Sequence, residues 1–280
     1  QESQPPLADL DSTPGRPAAR RAVADVKRKI TPKTKAIVCV DYGGVPCDYD
    51  ALNALCREHG LKLISDAAHS IGSSYKGQMS GTCADFTIFS FQAIKTLTTG
   101  DGGLLAIRDT SLLEKAKRLR WFGIDRSAKQ GGIWENDIVE VGYKYQMTDI
   151  AAGIGLAGLK HIQDVIRHRN ELFKVYETHL KTSRARLVGH AETDDYFTSA
   201  WLLTIVVDKD RIGLMKFLRE RGIESGQVHY RNDRYSVLGG RRNDLPNMDD
   251  VEDRYLVLPL HPRVRAEDVE KICGLINEGW

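Results

Sequence analysis

The chain has 280 residues with 41% hydrophobic and 8% aromatic side chains, enough for one large α/β domain and a smaller one. Forty Lys and Arg against 38 Asp and Glu leave a formal charge of +2, which excludes the broad basic excess that a nucleic-acid backbone selects. No run approaches the ~18 apolar residues of a membrane span, and QESQPPLADLD lacks the basic-then-apolar order of a signal peptide. Cys39, Cys47, Cys56, Cys83 and Cys273 are widely spaced and contain no CxxC pair, so they read as reduced thiols rather than zinc ligands. The expectation is a cytoplasmic protein with neither nucleic acid nor membrane as a partner.

In chain order, the proline-rich start is expected to be a loop that passes into a basic helix over residues 18–30. AIVCV, at 36–40, is a short continuous apolar run that suits a strand buried on both faces. YDALNALCREHG carries apolar residues at helical spacing and stops at Gly60. LKLIS, ending at Asp66, then DFTIFSF at 85–91 and GGLLAI at 102–107 read as further strands. Strands alternating with helical segments imply an open, mainly parallel α/β sheet. After Ser111 the chain turns helical; beyond the glycine-rich KQGGIWEN, residues 148–180 read as one long amphipathic helix. WLLTIVV at 201–207, KDRIGLMKFLRERG and AEDVEKICGLINEGW then supply a strand and two helices. The expected division is a large domain over 1–183 and a smaller C-terminal α+β domain over 184–280.

Ligands of parallel α/β sheets bind beyond the carboxyl ends of the strands. Three such ends carry polar groups: Asp41, Tyr42 and Gly43-Gly44 on the first, Asp66 to His69 on the second, and Ser90, Gln92 and then Lys95 on the third. A lysine amine attacks a carbonyl only when deprotonated, and desolvation favours that form. Bound pyridoxal phosphate needs, beyond a lysine, a carboxylate for its ring nitrogen, a flat group against its ring and donors for its phosphate. Asp66, His69 and Ser90 match these needs. Taken singly, each residue also has an ordinary reading: Asp66 as an Asx-turn or helix cap, Lys95 as a solvated loop lysine, His69 as a core residue and Ser90 as a strand hydroxyl.

At these residues the sequence resembles the DegT/StrS sugar aminotransferases, which are fold-type I pyridoxal-phosphate enzymes. The resemblance is carried by TKAIVCVDYGG, LISDAAHSIGSSYKG, DFTIFSFQAIKTLTTGDGGLL and VGYKYQMTDIAAGIGLAGL, in order over residues 34–159. It implies a three-layer, mainly parallel α/β fold of the aspartate-aminotransferase type with a smaller C-terminal domain. It implies that Lys95 holds pyridoxal 5'-phosphate as a Schiff base and shuttles the proton, and that Asp66 pairs with the pyridine nitrogen. His69 would lie near the ring, Ser90 would bind the phosphate, and Gln92 would be a neighbour. Lys144 stands where relatives reach the cofactor phosphate of the opposite subunit, so a homodimer is implied. His229 corresponds to a substrate-side loop histidine, although it and the nearby Arg231 and Arg234 also suit an exposed polar loop. WFGIDR at 121–126 resembles a string of relatives that act on 4-keto-6-deoxyhexoses.

The implied reaction moves an amino group from glutamate to a nucleotide-linked keto sugar, such as one destined for a surface polysaccharide or natural product. Dehydrating relatives carry histidine in place of the Schiff-base lysine, so Lys95 argues against that chemistry. Two departures from the family pattern stand out. GDGG replaces the usual GEGG, and the family's glycine- and serine-rich phosphate turn at a helix N-terminus does not precede TKAIVCV. The chain therefore resembles a family member with a shortened large domain and an incomplete phosphate cradle. The alternative expectation is a folded dimeric remnant with little or no activity.

Overall fold

A computed structural model describes residues 17–126, 131–132, 138 and 140–280. QESQPPLADLD and most of KQGGIWEN lie outside the described residues. The described chain opens with α1 (Pro17–Lys29) and alternates through β1 (Ala36–Val40), α2 (Tyr49–His59) and β2 (Lys62–Asp66). Two short strands follow, β3 (Ser74–Tyr75) and β4 (Gln78–Met79), then β5 (Phe86–Ser90), β6 (Gly103–Ile107) and α3 (Leu113–Arg120). Helix α2 starts where the Asp48 carboxylate accepts the Ala51 N–H, and it stops at Gly60, whose φ of 64° is left-handed.

The strands order as β1-β2-β5-β6. The first three run parallel, in a register that sets Val40 opposite Asp66 and Asp66 opposite Ile88, while β6 is antiparallel to β5. The carboxyl ends of β1, β2 and β5 thus lie side by side, and the residues after them share one edge. One face packs Ile37 and Leu63 against Leu52, Leu55 and Cys56 of α2. The other exposes Val38, Val40, Ile88 and Leu105. AIVCV is therefore buried on one face rather than on both.

The stretch 148–180 is two helices, not one. Thr148 caps α4 (Asp149–Leu159), and α5 (Ile162–His179) begins afresh after a turn at Lys160 and His161. Three glycines in DIAAGIGLAGL weaken helix continuity before that turn. Beyond α5 come β7 (Ala185–Leu187), β8 (Tyr196–Phe197), β9 (Leu203–Val207), α6 (Arg211–Arg219), α7 (Pro246–Val251), β10 (Tyr255–Leu258) and α8 (Ala266–Glu278). An antiparallel sheet, β10-β9-β7, shares a core with α5, α6 and α8 built on Phe173, Tyr176, Ile205, Leu214, Leu256 and Val269. Strand β8 pairs with β3, which ties this part of the chain to the loops that follow β2.

The turn Asp41-Tyr42-Gly43-Gly44 makes the second tie. The Gly43 carbonyl accepts the N–H groups of Trp201 at 2.9 Å and Leu202 at 3.2 Å. Gly44 has φ +100°, and a Cβ there would lie 2.9 Å from Ser199 Oγ, 3.0 Å from Thr198 Oγ1 and 3.1 Å from Ala200 N. Gly44→Ala is therefore expected to cost about 1–3 kcal/mol in backbone strain and a similar amount in overpacking. A urea-denaturation midpoint equal to that of the unsubstituted chain would show that this turn does not pin the two parts together.

Candidate active site

Asp41, at the end of β1, is fully buried and structural. Its carboxylate accepts the Cys47 N–H at 2.9 Å and the hydroxyls of Tyr49 and Ser70, each at 2.8 Å. Burial raises its pKa, and these three donors oppose the rise. Through Ser70, Asp41 fixes the segment that follows β2. The adjoining turn also orients His69, because the Gly43 N–H donates to His69 Nδ1 at 3.3 Å. That bond places the proton of a neutral imidazole on Nε2.

Four ring-bearing residues meet here. His69 is buried and stacks on Trp201 with centroids 3.8 Å apart and planes 25° apart. His229 lies 5.2 Å from His69 and 5.5 Å from Tyr42, centroid to centroid. The Lys95 ammonium sits 4.0 Å from the Trp201 centroid, a cation–π contact. Burial lowers the Lys95 pKa, against the pull of Asp66, whose negative charge favours the protonated form. Burial, reinforced by the charge of Lys95 and by His229, pushes His69 down to about 3. Burial and then Lys95 also lower His229. The site thus holds two neutral imidazoles beside an amine biased toward its reactive form.

Most of the residues expected from sequence converge. Lys95, Asp66, His69 and His229 are linked by contact or by charge, Ser90 ends β5, and Gln92 lies on the loop that leads from it to the lysine. The Lys95 N–H closes that loop on the Gln92 carbonyl at 2.9 Å, and Gln92 Oε1 accepts the Ile94 N–H at 3.1 Å. Lys144 stands apart: it is exposed and its backbone bridges to Trp121. Arg231 is not an exposed loop residue; it is buried and ion-paired with Asp233, Asp249 and Glu252. Arg234 is exposed and lies over Tyr230. Trp201 escaped the sequence reading because WLLTIVV looked like a plain strand, whereas β9 starts only at Leu203.

The residues present suit a pyridoxal phosphate group. Asp66 commits Oδ1 to the Ala68 N–H at 3.1 Å, leaving Oδ2 for a ring N–H. Ser90 Oγ accepts only a long 3.4 Å bond from the Gln92 N–H, so its own proton remains available to a phosphate oxygen. His69 and Trp201 supply flat aromatic surface beside the amine.

This fold is that of known sugar aminotransferases. The sugar aminotransferase CalS13 from Micromonospora echinospora superposes with a TM-score of 0.85 at 30% identity, over 92% of this chain and 71% of that one. The PLP-form of the putative sugar aminotransferase Spr1654 from Streptococcus pneumoniae gives 0.82 at 30% identity, over 91% and 71%. The chain belongs to the DegT/DnrJ/EryC1/StrS aminotransferase family, whose model matches residues 4–277. Among characterised relatives, GDP-perosamine synthase of Escherichia coli O157:H7 is 34% identical over 259 residues, covering 92% of this chain and 69% of that protein. No described helix is long and apolar enough to cross a membrane.

The depressed pKa of His69 fixes the sign of a pH effect. The unfolded chain takes up a proton near the ordinary 6.5 while the native imidazole stays neutral to about 3, so this stabilisation is present above pH ~6.5 and is lost as pH falls. The loss at pH 5 is on the order of 2 kcal/mol. His69→Gln is expected to flatten the fall in unfolding free energy between pH 7 and pH 5; an unchanged slope would show that His69 is not held neutral.

Proposed function

We propose that the chain is a pyridoxal-phosphate-dependent aminotransferase that moves an amino group from glutamate to the keto carbon of a nucleotide-linked sugar, such as a 4-keto-6-deoxyhexose. The observation that carries this reading is the Lys95 amine, partly buried on Trp201, biased toward its neutral form and close enough to Asp66 to feel its charge. Kinship with a sugar aminotransferase and with a GDP-perosamine synthase supports the nucleotide-sugar substrate. The PLP-form of one neighbour supports the cofactor.

Each residue then has a role set by its place on the sheet edge. Asp66 would hold the cofactor's ring nitrogen protonated. Ser90 would donate to the phosphate, with Gln92 shaping the loop between them. His69, neutral and fixed by Gly43, would bound the ring without adding a competing positive charge. Pyridoxal phosphate, when bound, supplies an electron sink and a carbon able to carry the amino group between donor and acceptor. Lys95 Nζ would take the proton from the donor carbon and return it to the acceptor carbon, a transfer its lowered pKa favours. His229, with its exposed ring beside His69 and Tyr42, would meet the sugar. Lys144, exposed and engaged with Trp121 rather than with the Lys95 group, is suited to the phosphate of a second copy. The exposed apolar residues Ile150, Ile154, Leu156 and Leu159 of α4 support such a homodimer.

Mixing the chain with pyridoxal phosphate is expected to give the visible absorbance of a lysine-bound pyridoxal, and adding glutamate should release 2-oxoglutarate. Lys95→Ala should lose both. A band that persists in that variant would move the chemistry to another lysine, and a colourless, folded protein would contradict the cofactor assignment.

A further inference from the structure

Lys95 is placed by groups from distant parts of the chain. On its N-terminal side the Ile94 carbonyl accepts the Trp201 Nε1–H at 3.1 Å. On its C-terminal side Thr96 Oγ1 accepts Arg169 Nη1 at 2.9 Å, and the Lys95 N–H itself is bound by the Gln92 carbonyl at 2.9 Å. The tip of the side chain is held differently. Among the described residues Lys95 Nζ makes no hydrogen bond and no ion pair; what it meets is the Trp201 ring, 4.0 Å from the centroid.

That ring is itself fixed. Trp201 is 6% exposed, stacks on His69 with centroids 3.8 Å apart, and donates its backbone N–H to the Gly43 carbonyl at 2.9 Å. An indole face attracts an ammonium more strongly than a phenyl face does, and the attraction goes when the amine loses its proton. The ring therefore supports the charged form of Lys95, together with Asp66 and against desolvation. The other titratable groups bearing on the amine are His69 and His229, both biased toward the neutral imidazole. A lysine left free at its tip loses side-chain entropy when it is ordered for reaction; one already seated has lost it beforehand.

From this geometry we propose that Trp201 is a positioning residue for the reactive amine: its indole N–H fixes the backbone before Lys95, and its ring seats the Lys95 ammonium while no carbonyl compound is bound. The use of the amine rests on the aminotransferase reading, whereas the seat is read from the chain alone.

Reductive methylation with ¹³C-formaldehyde turns lysine amines into dimethylammonium groups whose methyl signals report surroundings and titration, and Lys95→Arg identifies the Lys95 signal. In the unsubstituted chain that signal is expected upfield of the other lysines, shifted by the indole ring current. Trp201→Leu keeps the surroundings apolar but removes the π face. It should return the signal to the common position and lower its titration midpoint by about half a unit, the scale of an exposed cation–π contact. Trp201→Phe should keep part of both effects. With saturating pyridoxal phosphate, the unmethylated Trp201→Leu chain should form lysine-bound pyridoxal at least about tenfold more slowly, with Trp201→Phe in between. Circular dichroism identifies a variant that fails to fold, and the signals of the unsubstituted chain and of Trp201→Phe then decide. A Lys95 signal lying among the others in the unsubstituted chain, or an upfield one that survives in Trp201→Leu, would overturn the seat. An unchanged rate of pyridoxal capture in folded Trp201→Leu would overturn the positioning role. An upfield Lys95 signal in a chain that stays colourless with pyridoxal phosphate would contradict the aminotransferase reading and not the seat.

Discussion

The site depends on the backbone of one turn. Gly43 donates its N–H to His69 and offers its carbonyl to Trp201 and Leu202, while the Gly44 carbonyl accepts the Ser73 hydroxyl at 2.7 Å. Three segments distant in sequence, the ends of β1 and β2 and the entry to β9, are held by groups that no side chain could replace. Buried backbone polar groups must find partners, and here those partners are parts of the reactive site. The rigidity that folding requires is thus the same rigidity that orients His69 and Trp201.

Electrostatics follow from that placement. Removing His69 and Lys95 from water disfavours their charged forms, and the charge of Lys95 further opposes protonation of His69. Asp66 works in the other direction and favours the protonated form of Lys95. Asp41, although also a carboxylate at a strand end, is spent entirely on Cys47, Tyr49 and Ser70. Two acids on adjacent strands are thereby divided, one committed to scaffold and one proposed for the chemistry.

Much of this was legible in the sequence. Short apolar runs ending on polar residues located β1, β2 and β5, and their shared direction placed Asp66, Ser90 and Lys95 on one edge. What stayed hidden was set by contacts over long separations. Trp201 meets Ile94 across 107 positions and Arg169 meets Thr96 across 73, and neither pairing leaves a local periodic trace. The burial of Arg231 depends on carboxylates 18 and 21 residues away, so its loop setting looked polar and open. The short strands β7, β8 and β10 and the helix α7 went unforeseen because pieces of a few residues carry too little pattern. The split of 148–180 was masked by apolar residues that continue through the turn.

Of the 17 lysines in the chain, we propose that Lys95 is the amine the fold has prepared. Borohydride reduction of the chain after incubation with pyridoxal phosphate, followed by peptide mass mapping, tests it directly. The pyridoxyl group is expected on the peptide containing Lys95 at substoichiometric reagent, before any surface lysine is labelled. Labelling spread evenly over exposed lysines, or concentrated on Lys144, would contradict it.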